Sequence, residues 1–470
     1  MFQNPTAFTR LRNSAAIISL LASSFYCTPA IANPTGGTVT AGSITITESG
    51  KTLDVTQTTG KGIVDWQSFN INQDETTAFH QPSSSSITLN RINDVNPSQI
   101  LGHLTANGKI ILINPNGVFF GPNSQVDVAG LVATTANINN NDFMNGNMKF
   151  STPGNPEAKI VNEGNITAKE AGLVGFVAPD VENSGTINAK LGKVTLASGD
   201  SFTLDMAGDN LITVAVSGDL KNQVASNEGA INANGGVVTL TAAAAHGIVN
   251  SVVSNSGTIS ATSFKQHDGK IILYAEKTGN STATNSGTLD ASGYKTGHKG
   301  GEVDVLADNV NLTSTSVVDV SGDAGAGNVK IGGDFHGQGA TPTATNTTVE
   351  QGAIIKADAI TSGNGGQVAV WSDGDTYFGG SISARGGANS GDGGNVETSG
   401  KQNLAFRGAV DTQAPNGQDG MLLLDPTNII ISNGVARSLR QVQIAIGGQT
   451  VDGDVISCGK RNIRCRCNAL

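Results

Sequence analysis

Apolar and polar positions alternate with a period of two along most of the chain, as at Val194 and Leu196 or Val303 and Val305, each pair flanking a polar residue. That spacing predicts strands, whose successive side chains point to opposite faces. Apolar spacing near 3.6 over ten or more residues, the mark of a helix, is missing from these stretches. The most regular strand-turn-strand is "KIILINPNGVFFGP", residues 109 to 122, where two apolar runs flank a four-residue break.

The strands belong to a repeated phrase. It reads "NEGNITAKEAGLVGFVA" from Asn162, "NSGTINAKLGKVTLAS" from Asn183, "NEGAINANGGVVTLTA" from Asn227, "NSGTISATSFKQHDGKIILYA" from Asn255 and "NSGTLDASGYKTGHKGGEVDVLA" from Asn285. Weaker copies start at Gly352 and Gly380. The five starts are 21, 44, 28 and 30 residues apart, which suggests a unit near twenty, with the 44 spanning two units. Short strands at such a period predict an all-β chain folded as a right-handed parallel β-helix, each coil pairing with the coils above and below. At about 4.8 Å per coil, some twenty coils would make a rod of roughly 95 Å. A series of β-sandwiches would want units near 100 residues and a larger aromatic core.

Composition fits a β-helix. Glycine accounts for 61 of 470 residues and aromatics for only 4%. Glycine and asparagine tolerate the positive φ of tight corners, and stacked asparagines can hydrogen-bond in ladders. Charged residues make up only 14%, too few for the usual disordered segment, which is highly charged and poor in apolar residues. The net charge of -10 is uneven: six basic residues against two acidic after Asn433 leave the body near -14. An acidic body argues against nucleic acid as a partner, because neutralising phosphates takes basic clusters.

The N-terminus has the three parts of a secretory signal: Arg10 and Arg12, an apolar stretch from Ala15 to about Phe25, and Ala30-Ile31-Ala32 as the cleavage site, so that the mature chain would start at Asn33. Its apolar core is far shorter than the roughly 20 residues a membrane span needs. Cys27 falls within this segment, and Cys458, Cys465 and Cys467 crowd into the last thirteen residues. The body between is cysteine-free, so disulfides do not hold it together.

The run from Gly62 to Thr135 resembles the N-terminal haemagglutination-activity domain of the filamentous haemagglutinins and high-molecular-weight adhesins exported by two-partner secretion. "WQSFNI" (Trp66 to Ile71), "LNRI" (Leu89 to Ile92) and "INPNGVFFG" (Ile113 to Gly121) carry the resemblance, joined downstream by "GGNVETSG" (Gly393 to Gly400) and "LLLDPTNIIIS" (Leu422 to Ser432). It implies a signal peptide over 1–32, a secretion domain over 33–160, β-helix repeats over 161–433 and an atypical basic tail over 434–470. It also implies passage through the periplasm, export by a dedicated outer-membrane β-barrel partner, and a secreted or surface-bound adhesin with a receptor that no residue identifies. Carried over residue by residue, the secretion motif is Asn114, Pro115, Asn116 and Gly117, with Asn90 and Arg91 as weaker candidates. Turn chemistry alone explains the same four residues as a structural corner: Pro115 presets φ and Gly117 accepts a positive one.

Catalytic and metal constellations are weak. The six histidines lack metal-ligand spacing, and no metal or cofactor is expected. Parallel β-helices also host carbohydrate-active enzymes, which need converging carboxylates. The densest acidic group, Glu302, Asp304 and Asp308, is expected to be solvated beside one strand, so a non-enzyme is expected. The regular Gly-Gly-x-Gly-x-Asp pattern of calcium-binding β-helices is missing. The stalk of a toxin-delivery exoprotein is a further alternative. After about Gly434 the repeat grammar stops, which suggests the out-of-frame end of a longer adhesin gene or a short anchor with a cysteine loop.

Overall fold

Each circuit of the chain lays one strand in each of three sheets. From Lys109, the strand Lys109–Ile113 lies in the first sheet, Gly117–Phe120 in the second and Gln125–Val128 in the third, and Gly130–Thr134 then returns to the first. It pairs there in parallel with Lys109–Ile113, matching Ile111 to Val132. In this computed structural model the described residues are 33–205, 212–216, 220, 223–243, 251–264 and 266–427, with the backbone alone at 222, 250, 428–431, 442–446 and 449–452. The three sheets have 16, 12 and 14 strands and form a parallel β-helix.

Matched aliphatic columns fill the interior. Ile110, Leu131, Val174, Val194, Val238, Ile271, Val303, Val329, Val368, Val396 and Leu422 are register partners in succession along the first sheet. All are buried. Aliphatic side chains of similar size stack at the strand spacing, so this column fills without aromatics.

A polar column runs beside the apolar ones. Asn162, Asn183, Asn227, Asn255 and Asn285, the five starts of the repeated phrase, are register partners in the second sheet. Each of the first four donates from Nδ2 to Oδ1 of the next asparagine at 2.7 Å, and Asn285 ends the series on Ser316 Oγ at 2.6 Å. Within each repeat the glycine two residues on is equally constrained. A Cβ at Gly185, Gly229, Gly257 or Gly287 would lie 2.0–2.2 Å from the carbonyl oxygen of the glycine one coil below.

Two expectations are corrected. The 44-residue spacing from Asn183 to Asn227 is one coil rather than two, since the two residues pair directly. Its extra length is an excursion in which Ser201–Leu204 and Ile212–Ala215 pair antiparallel, joined by Lys149–Phe150 of an earlier excursion. Among the described residues coils are also fewer than twenty. Leaving out the antiparallel Thr38–Ala41 and the last two strands, thirteen of the sixteen strands in the first sheet remain, or about 60 Å of β-helix. Insertions at the corners lengthen coils without adding any.

The excursions explain the continuous apolar run of Lys109–Ile113. Ile110 and Leu112 face the interior, while Ile111 and Ile113 face outward into a second apolar cluster with Ile63, Leu89, Val132 and Val177. Phe143, Phe150, Phe202 and Leu204 from the excursions cover that outer face. Phe150 and Phe202 stack with centroids 4.2 Å apart. The helix Asn140–Asn145 is capped by Asn139, and its last carbonyls, on Phe143 and Met144, accept from Lys61 Nζ at 3.0 and 3.1 Å. A strand buried on both faces reads as an unbroken apolar run.

Truncating the middle of the asparagine column should be costly. Asn227→Ala leaves the Asn183 amide without its acceptor and Asn255 Oδ1 without its donor, so urea unfolding should show a loss of about 2–4 kcal/mol. Asn232→Ala, in a half-buried outer position with one bond to Asn188, should cost under about 1 kcal/mol. Phe202→Ala should open the second cluster, costing about 3–4 kcal/mol and raising binding of an apolar dye.

Candidate functional site

The corner Asn114-Pro115-Asn116-Gly117 joins a strand of the first sheet to one of the second. It closes as a turn, with Gly117 N–H donating to Asn114 O at 3.0 Å. Asn116 N–H also donates to Asn114 Oδ1 at 2.9 Å, so the side chain braces the same turn. Gly117 has φ 107°, and a Cβ there would lie 2.3 Å from Lys159 O, so only glycine fits.

The corner ties three coils together. Asn114 Nδ2 donates down to Asn96 O at 3.1 Å and Ser98 Oγ at 3.0 Å, and Asn116 Nδ2 to Asp94 O at 2.9 Å. On the other side Asn114 N–H donates to Thr134 O, and Asn155 N–H donates to Pro115 O. Asn114 has no exposed surface, while Pro115 and Asn116 are half-buried. The four residues form one corner, and the side chain of Asn114 is out of reach of any partner of the folded coil.

Asn90 and Arg91 lie one coil earlier and point in opposite directions. Asn90 is fully buried, accepts from Trp66 Nε1 at 3.0 Å and shares an inward column with Leu112. Arg91 faces out, pairs with Asp65 at 2.8 Å and donates to Asn137 Oδ1, Ile138 O and Asn140 Oδ1 at 2.8–3.0 Å. It thus clamps the first excursion to the sheet. Trp66 packs edge-on against Phe69 at 5.6 Å, which makes "WQSFNI" a core element of the first coils. Sequence reasoning missed Asp94, Ser98 and Thr134 as partners of the corner, since nothing local marks residues a full coil away.

Of the expected cleavage residues, Ala30 and Ala32 lie outside the described residues, as do the tail cysteines. Asn33 is buried and fixed in the fold: its Nδ2 donates to Lys51 O at 3.0 Å, and its Oδ1 accepts from Thr77 Oγ1 at 3.2 Å. The expected boundary at residue 160 falls inside the strand Lys159–Asn162, and the β-helix runs across it.

The acidic trio corrects a further expectation, for Asp304 and Asp308 are buried rather than solvated. Burial raises the pKa of Asp304, opposed by Lys270, which pairs with both Asp304 and Glu302. At Asp308 burial also pushes upward, but the N–H groups of Thr278, Ser281 and Gly279 and the Ser281 hydroxyl overcome it, and the net shift is down. Both carboxyls thus serve the packing of the β-helix. Among the described residues no three His, Cys, Asp or Glu side chains come together as a metal site.

Asn114→Ala should lower the thermal midpoint of the purified protein more than Asn116→Ala. The first loses two buried donor bonds and the brace of the turn, about 2–3 kcal/mol, and the second one half-exposed bond, about 1 kcal/mol or less. Equal midpoints would show that the corner is not held by Asn114.

Comparison with known proteins places this geometry. A family model described as the TPS secretion domain matches residues 30–291. A heme/hemopexin-binding protein of a Haemophilus influenzae strain is 38% identical over 252 residues, covering 52% of this chain and 27% of that protein. A second Haemophilus influenzae protein of the same name is 29% identical over 245 residues, covering 48% and 26%. The chain thus spans about a quarter of the length of these relatives. The crystal structure of the HMW1 secretion domain from Haemophilus influenzae superposes with a TM-score of 0.70 at 29% identity, covering 83% of this chain and 100% of that one.

Proposed function

The chain belongs to the TPS secretion domain family, as part of a two-partner secretion exoprotein, and from that premise we propose that a dedicated outer-membrane β-barrel transporter exports it and that it acts outside the cell as a non-enzymatic surface adhesin. The family match carries the export half of this reading, and the burial of Asn114 bears on its timing. A transporter that recognises Asn114 meets it before the coil closes, while the chain is extended and its backbone free to add to a sheet edge. Once outside, each coil needs only its neighbour to pair with, so folding can advance coil by coil behind the N-terminal end. A cysteine-free body avoids disulfide traps on the way.

The adhesin half rests on the resemblance and on the repeated β-helix, which offers a long surface for a receptor. The rival enzyme reading loses support because Asp304 and Asp308, its best acidic candidates, are engaged in the framework. A second reading comes from the relatives named for heme and hemopexin binding, which are 38% and 29% identical to about half of this chain. It predicts a spectral shift on titrating hemin into the purified protein.

Export is tested by co-expression with the barrel partner. Asn114→Ala together with Asn116→Ala should abolish release to the medium, whereas Asn227→Ala, destabilised to a similar extent but far from the corner, should still be released. Normal release of the double variant would remove the export role. Loss of release in both would make folding, not recognition, the cause. Binding of the released protein to host-cell monolayers, compared with inert beads, tests the adhesin role.

A further inference from the structure

A third excursion leaves the first sheet after the strand Asn328–Ile331 and returns to the second at Asn346–Val349. Its short turn Phe335–Gly337 is capped by Asp334, which also pairs with Lys330 at 2.8 Å. The turn lies on Trp371. A Cβ at Gly333 would come within 2.9 Å of the indole, and one at Gly337 within 2.5 Å, so both glycines are needed for the excursion to sit so close. His336, a non-glycine residue, is held at φ 57°, a conformation that costs energy unless its surroundings impose it.

What imposes it is Glu397, from "GGNVETSG". His336 N–H donates to Glu397 Oε2 at 2.7 Å. Glu397 has no exposed surface and sits between Ala369 and Leu423 in its column, where an apolar residue would be the inexpensive choice. Its Oε1 is buried without a hydrogen-bond partner among the described residues. Beside it is a cleft of about 200 Å³ lined by His336, Gly337, Trp371, Asp373, Lys401 and Asp425, the last from "LLLDPTNIIIS". The segments "GGNVETSG" and "LLLDPTNIIIS" thus meet under one excursion.

We propose that the Gly332–Ala344 excursion is a proton-sensitive latch, closed over Trp371 when Glu397 is neutral and loosened when Glu397 is ionised, so that the cleft bordered by Trp371, Asp373, Lys401 and Asp425 opens. Closure removes Glu397 from water, and this burial raises its pKa; the His336 N–H and Ser399 oppose the shift, and Asp425 adds to it. With the latch open and Glu397 hydrated, the pKa returns to the ordinary glutamate range. The closed state therefore binds the proton more tightly. Its advantage is full below the ordinary range and is lost as pH rises through the closed-state value. The charged groups facing Glu397 are His336 from the excursion and Asp425 from the next coil, with Asp373 and Lys401 around the cleft; Asp334 is neutralised by Lys330. His336→Gly removes the imidazole and so isolates the contribution of Glu397.

The chain has two tryptophans, and Trp66→Phe leaves Trp371 as the sole reporter. Quenching of Trp371 by acrylamide should increase at least about twofold between about pH 5 and about pH 7.5, and with Glu397→Gln it should stay low at both. Amide exchange of residues 335–338 in the otherwise unaltered chain, corrected for its intrinsic pH dependence, should follow the same pattern, which keeps the test open if Trp66→Phe does not fold. His336→Gly should retain the pH response. The latch is refuted if quenching and exchange are independent of pH, if Glu397→Gln responds as the unaltered chain does, or if His336→Gly alone removes the response.

Discussion

The β-helix depends on holding every coil in register with the next, and the buried asparagine column is the interaction that enforces it. An apolar interior cannot do this alone, since a slipped coil could still stack aliphatic on aliphatic. A buried amide has no such freedom: a slip by two residues, which keeps aliphatics facing inward, would strand a donor and an acceptor in the core, at about 1–3 kcal/mol each. Asn183, Asn227 and Asn255 each donate to one neighbour and accept from the other, so an error anywhere is felt on both sides. The glycines two residues on make the same demand sterically, their missing Cβ atoms leaving room for the carbonyl of the coil below.

Register fixed in this way lets the coils vary elsewhere. The excursions after Gly130–Thr134, Lys193–Ser198 and Asn328–Ile331 all leave from the end of a first-sheet strand and lie over the outer face of that sheet. The first two cover an apolar face and the third a tryptophan and a buried glutamate. The asparagine column is undisturbed by the second, since Asn183 and Asn227 stay bonded across it. Where an excursion lies over it the first sheet is buried on both faces, but between them Ile272 and Tyr274 of the strand Lys270–Ala275 are only half-buried; the third sheet keeps one face in water, with residues such as Asn165, Asn188 and Asn232 on it.

In the proposed export reading, the corner at Asn114 is both the recognised segment and a folding element. Its amide groups are spent on coils above and below, so on that reading the Asn114 side chain is accessible only in the extended chain. Recognition then precedes closure, and closure withdraws the Asn114 side chain while Pro115 and Asn116 stay half-buried. Asn90 shares the property, since its buried side chain holds the indole of Trp66.

Much of this was legible in the sequence. Period-two alternation, the repeated Asn-x-Gly phrase and the paucity of aromatics determined a parallel β-helix, because each follows from short-range geometry. The corner at Asn114 to Gly117 was equally plain, as proline and glycine constrain their own backbone. Tertiary structure alone decided the number of coils, since Asn183 and Asn227 are neighbours only once the intervening chain has folded aside. It also decided the fates of Asp304 and Glu397, which lie in strands that alternate as any half-exposed strand does. Whether their outward faces meet water or a covering excursion depends on residues dozens of positions away, and periodicity carries no information about that distance.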